Sequence, residues 1–189
     1  MAINNVVSGM ALASVLLNAS ADAAAKTIHL KLSYSGSTVT RQDSNGDGIR
    51  SALGILTCTS NLGRCTAQGV GEALSAGSGP CPNGHPGLRY ELLPGSGHGF
   101  THFERTGDML FTRVTSETAC YDLTTGVLSK SGVDAIVGGT GRFAGASGES
   151  RFEGTQWLLY IDGDGNAFAA QTGTATATIV LPAKNASPR

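Results

Sequence analysis

A chain of 189 residues with 40% apolar content has enough material for one folded domain with a core of its own, and too little for two. Its 13 basic and 14 acidic side chains nearly cancel. That excludes nucleic acid or an anionic membrane as the main partner, because both demand a concentrated excess of Lys and Arg. Charged residues make up only 14% and there are 27 glycines, with no collagen-like or low-complexity period. This composition describes many short strands joined by tight turns.

The chain opens on an apolar stretch, Val6 to Leu17, too short to span a bilayer and followed by small residues through Ala25. It reads as a signal peptide over 1–25, although no basic residue precedes Lys26; the alternative is a buried or interfacial helix. Its removal takes away Asp22 alone and leaves 13 acidic against 13 basic side chains. The expected product is a secreted or periplasmic chain, with one β-barrel domain over 26–182 and a fraying tail over 183–189.

Strand signals then dominate. Over 27–34, Ile28, Leu30, Leu32 and Tyr34 alternate with polar residues, which puts one face of a strand on a core. DSNGDG at 43–48 has the opening of a calcium loop, with Asp43, Asn45 and Asp47 as oxygen donors. Gly54 stands where the bidentate Glu belongs, so a metal-free turn is the expectation. After a strand over 52–58, the Gly-, Ser- and Pro-rich stretch 72–87 reads as the least ordered part of the domain. Over 88–93, Arg89 and Glu91 alternate with Leu88, Tyr90 and Leu92. Glu91 becomes a buried base if that polar face points inward, and a surface residue if it points outward, the default.

His98, His102 and Glu104 share a face if their segment is a strand, a pattern that serves a metal or acid–base chemistry but matches no known metal spacing. Solvated side chains are the plainer alternative. Further strands are expected over 109–115, 119–122, 133–137, 150–153, 156–162 and 167–172. At the end Ala175, Ala177, Ile179 and Leu181 repeat the two-residue period of the first strand, so the two can pair and close a barrel with no exposed edge. Phe152, Trp157, Tyr160 and Phe168 are the large side chains available to a core or lumen.

Cys58, Cys65, Cys81 and Cys120 make an even count in a chain read as exported, hence two disulfides. Of three pairings, Cys58 with Cys65 and Cys81 with Cys120 are favoured; a zinc site is the competitor, but the spacings lack the short gaps that let one turn present two thiolates.

The most distinctive segment is GGTGRFAGASG at 138–148. It follows a β-like run and imitates a phosphate-binding glycine loop, but such a loop needs a helix next, and here a strand pattern follows. The segment instead resembles a hallmark of the allene oxide cyclase-like and dirigent-like barrels. The likeness extends to GDMLF at 107–111, TACYDLTTG at 118–126 and QTGTATATI at 171–179. It implies a closed or nearly closed eight-stranded antiparallel β-barrel with an apolar lumen, often trimeric in plants, and no cofactor. Gly138, Gly139, Gly141, Arg142, Phe143, Gly145 and Gly148 are expected to anchor the fold, with Phe143 as a plug for one end and Arg142 as a hydrogen-bond donor.

The functional expectation is a barrel that takes a small apolar molecule into its lumen, as a binding protein, a stereo-directing protein or a cofactor-free isomerase or cyclase. Tyr90, Phe152, Trp157 and Tyr160 are the candidate ligand contacts, with Glu91, His98 and His102 as candidates for chemistry. The alternative is a non-enzymatic exported protein whose barrel is filled with side chains. An open cavity of roughly 300 Å³ or more favours the first.

Overall fold

The computed structural model describes residues 24–41, 43 and 46–183. The proposed leader lies almost wholly outside the described residues, as does nearly all of the tail. Nine strands follow one another: β1 (Lys26–Thr40), β2 (Ile49–Ser60), β3 (Gly63–Pro80), β4 (Pro86–Leu92), β5 (His98–Phe103), β6 (Met109–Asp122), β7 (Val127–Gly139), β8 (Ser147–Ile161) and β9 (Ala167–Leu181). Among the described residues there is no α-helix, and so none long and apolar enough to cross a membrane.

All pairings are antiparallel, and each strand hydrogen-bonds to its predecessor or successor in a meander. The ring closes where β1 pairs with β9 from Lys26↔Leu181 to Thr40↔Ala167, as the matching periods of the two chain ends implied. Nine strands fill eight positions in the ring. β4 pairs with the far half of β3 and β5 with its near half, and both lie against β6. They are one strand position interrupted at residues 93–97.

Three expectations are corrected. Residues 72–80 are the end of β3 and pair with β4 through Pro80↔Pro86, so the stretch read as least ordered is largely sheet. Its glycines weaken a strand in isolation, but β2 pairs with it as far as Leu74 and β4 carries the ladder from Ala73 to Pro80. Segments expected to be separate strands over 109–122, 150–162 and 167–181 are continuous, because register shifts at Val114/Ser116 and Leu158/Tyr160 absorb the irregularity without ending the strand. Residues 98–103, left out of the expected strands, form a strand in their own right. The disulfides are Cys58–Cys65 and Cys81–Cys120.

The core sits at one end of the barrel. Leu30, Phe103, Leu110, Ile136, Phe143, Ala146 and Ile179 form it together with the Cys58–Cys65 bridge. GGTGRFAGASG closes this end: Gly141–Phe143 is a single 3-10 turn, and Phe143 is fully buried, its ring 5.1 Å from that of Phe103. Arg142 Nε lies 3.0 Å from Asp108 Oδ2, and its guanidinium covers both rings. Gly141 has φ +56°, and any side chain there would collide with the Asp108 carboxylate.

Candidate functional site

Past this plug the barrel is hollow, because the side chains that point inward become small. Along β9 the inward positions are Ala177, Ala175, Gly173, Gln171, Ala169 and Ala167. A cavity of about 560 Å³ results, reaching the opposite end, where the connections 41–48, 81–85, 123–126 and 162–166 surround the mouth.

The hydrogen-bond registers stack the inward side chains in rows. Next to the plug, Leu30, Ala177, Ser150, Asp134 and Val114 stand side by side on β1, β9, β8, β7 and β6. The next row is Leu32, Ala175, Phe152, Gly132 and Glu117, followed by Tyr34, Gly173, Gly154, Lys130 and Ala119. One wall of the lumen, made by β6 and β7, thus carries Asp134, Glu117 and Lys130 in three successive rows. The facing wall offers Leu30, Leu32 and alanines. Nearer the mouth Gln156 donates to Gln171 Oε1 at 3.0 Å and to Thr38 Oγ1 at 3.4 Å.

Two glycines make room for this arrangement. The ring of Tyr34 lies across Gly173 and Gly154, where any added carbon would strike its phenol, and its hydroxyl donates to the Glu153 carbonyl at 3.1 Å. Phe152 folds over Gly132 in the same way.

The carboxyls on the β6–β7 wall are perturbed by their surroundings. Burial, with the nearby Glu117 charge adding to it, pushes Asp134 up to about 6, and Lys130 only partly opposes this. Burial also raises Glu117, again against Lys130. Tyr34 rises to about 12 through burial and the charges of Glu117, Asp134 and Glu153. Asp134 is therefore a carboxyl in a hollow that exchanges its proton close to neutral pH, as general acid–base chemistry requires.

Of the residues singled out in the sequence, Tyr90, His98 and Phe152 line the cavity. Trp157 and Tyr160 do not: they sit on the outer face of β8, 42% and 60% exposed, and Phe168 faces outward beside Tyr160. Their bulk suggested an inside position, but Phe152, Gly154, Gln156 and Leu158 take the inside, which leaves Trp157 outside by parity, and the register shift after Leu158 turns Tyr160 outward. Glu91 is on the exposed side of β4, the solvated alternative. His98 lies at the interruption between β4 and β5 with Nε2 3.1 Å from the Gly95 carbonyl oxygen, His102 is on the outer parity of β5, and Glu104 pairs with Arg64 at 3.4 Å. Among the described residues no three His, Cys, Asp or Glu side chains converge to hold a metal.

Asp43 accepts backbone N–H bonds from Gly46, Asp47 and Gly48, closing the connection as a turn; Asn45 lies outside the described residues. A tighter acid sits beside the mouth. Asp122 is buried and accepts from Asn83 Nδ2 at 2.8 Å, contacts His85 Nδ1 at 2.9 Å, and accepts from the Thr124 and Thr125 backbones. Burial pushes its pKa up, but these bonds outweigh that and hold it well below the usual carboxylate range. Its role is to tie the 81–85 and 123–126 connections together next to the Cys81–Cys120 bridge.

Sequence reasoning missed Glu117, Lys130 and Asp134. Along β7 the valines 127, 133 and 137 share one parity and Leu128, Lys130, Asp134 and Ile136 the other, so both faces carry apolar residues and alternation alone chooses neither. The physical cause is that the inward row lines a cavity wall and admits polar side chains that a packed core excludes.

No family model and no curated protein matches the chain. Two solved structures of pterocarpan synthase dirigent proteins align with 87% and 85% of it and with 90% and 97% of their own chains. Identity is 15% in both, with TM-scores of 0.28 and 0.30. Superposition at this level is loose, so the barrel assignment stands on the strand order and registers.

Proposed function

We propose that this chain is an exported barrel that takes a small, largely apolar molecule into its lumen and holds it against the Glu117–Asp134 wall. The open cavity of about 560 Å³ carries this reading, since it lies in the range of small-molecule sites and is closed at one end by Phe143. Two disulfides support export to an oxidising compartment. A fixed apolar wall selects one folded conformer of a flexible guest, and a carboxyl titrating near neutrality moves one proton. That combination supports stereo-directed coupling or cofactor-free isomerisation as well as simple binding.

The test is native mass spectrometry of the full chain purified without detergent or organic solvent. A reproducible adduct on the wild type, absent from an Ala175→Leu variant that fills the lumen, is the expected result. Wild-type protein that stays free of every adduct, and that no member of a hydrophobic fragment set stabilises, sinks the reading.

A second reading, in which the outer surface meets other proteins, has one observation in its favour. Val70, Leu53, Val39, Phe168 and Tyr160 stand outward in register across β3, β2, β1, β9 and β8, an uncharged row near the mouth. A second copy of the same chain is the partner such an uncharged strip suits, as the family resemblance implies. Sedimentation at micromolar concentration should show an oligomer, and a monomer removes this reading.

A further inference from the structure

A carboxylate inside a protein is neutralised, paired, or placed for a partner that arrives later. Asp134 is not paired. Its Oδ1 is shielded from solvent and accepts no hydrogen bond, and among the described residues neither Asp134 nor Glu117 enters an ion pair.

The surroundings supply no internal partner. Lys130, on the same strand as Asp134, is one cation set against two carboxyls. Tyr34 on β1 spends its hydroxyl on the Glu153 carbonyl. Ser150, beside Asp134 on β8, carries no charge, and β9 presents only Ala175 and Ala177 at this depth. Arg50, the other cation of the lining, stays exposed at the mouth, its guanidinium 5.6 Å from the centroid of the Tyr90 ring. The wall is one positive charge short.

We infer that the guest of this lumen is a small hydrophobic amine, its ammonium seated between Glu117 and Asp134 and its apolar body against Leu30, Leu32 and Ala175. This deepens the lumen-binding reading and rests on it. An ammonium supplies up to three N–H donors, enough for the two carboxyl side chains, Glu117 and Asp134, that border the lumen. A neutral alcohol satisfies one acceptor and leaves the charge uncompensated, and a carboxylate guest is repelled.

Amine binding also needs ionised carboxyls, so affinity must grow as Asp134 loses its proton.

Three probes with one ring system separate the possibilities: 2-(1-naphthyl)ethylamine, 2-(1-naphthyl)ethanol and 1-naphthylacetate, titrated calorimetrically into the full chain. The amine should bind at least about tenfold tighter than either relative near pH 7.5, and its advantage should shrink several-fold near pH 5. Asp134→Asn and Glu117→Gln, each checked for folding by its melting curve, should bring the amine down to the level of the alcohol. The wild-type pH comparison stands even if one variant does not fold. Alcohol or acid binding as tightly as the amine overturns the charge inference and leaves the lumen reading intact. An amine preference unchanged in Asp134→Asn or indifferent to pH overturns it too, and binding of none of the three overturns both.

Discussion

The two ends of this barrel are built from the same strands and behave as different materials. At the plugged end the inward side chains are Leu110, Ile136, Phe143 and Ile179, and they form one buried cluster. One to three rows further along, the same strands present Asp134, Gly132, Ala175 and Gly173, and the interior stays open. The sheet does not change between the two; the volume of the inward residues does. A closed ring fixes the internal width, so alanine and glycine on β9 translate into a cavity that no local adjustment collapses. Stability is concentrated at one end, which leaves the other free to be shaped for a guest.

That division is open to direct attack. Phe143→Ala should cost about 3–5 kcal/mol, because a fully buried ring leaves a cavity in the densest part of the fold, with a correspondingly large fall in the denaturant midpoint. A small loss would mean that the plugged end is not the stability centre. Removing the bridges separates the ends again. Cys81→Ser with Cys120→Ser, which opens a sequence separation of 39 near the mouth, should cost about 4 kcal/mol by loop entropy, against about 2 kcal/mol for the separation of 7 between Cys58 and Cys65. Equal losses in the two double variants would break that ordering.

The open end should carry its own pH signature. Asp134 has a folded-state pKa of about 6, above its ordinary 3.8, so the native chain holds the proton more tightly than the unfolded chain does. Its contribution to stability is therefore full below about pH 4, is lost as pH rises to about 6, and is flat above that; Glu117 acts with the same sign. Asp134→Asn should remove most of this slope and melt higher than wild type at neutral pH, by about 1–3 kcal/mol. A slope that survives the substitution would assign the titration elsewhere. Asp122, whose pKa is lowered, loses its contribution only in more acidic solution, outside this window.

Filling the hollow is a gentler change. Ala175→Leu should leave the melting temperature unchanged or raised while weakening guest binding at least about tenfold, which calorimetry with the naphthyl amine reads directly. Smallest of all, Glu91→Gln and His102→Ala, on the outer faces of β4 and β5, should alter binding by less than about twofold. A larger effect from either would place chemistry on the outside of the barrel.

Much of the fold was legible because its signals are local. The alternation in β1 and β9, the turn at 43–48, and the pairing of four cysteines each depend on residues close in sequence or on a small set of combinations. The glycine-rich segment 138–148 also spoke clearly, since the strand pattern after it leaves no helix to bind a phosphate. The site was far less legible. Tyr90 and Phe152 do line the cavity, but Trp157 and Tyr160 were drawn inward by their bulk, and Glu117, Lys130 and Asp134 passed unnoticed.

The reason lies in the period of a strand. Alternation with a period of two defines two faces and does not say which is inside, so the sequence by itself determined an all-β chain of alternating strands, its turns and its bridges. Which face closes around the lumen is decided by ring closure between β1 and β9 and by the register shifts at Val114/Ser116 and Leu158/Tyr160. After Val114 the inward parity on β6 moves to Glu117, and after Leu158 Tyr160 turns outward. Those shifts depend on partners far along the chain, and only the tertiary structure brings the partners together.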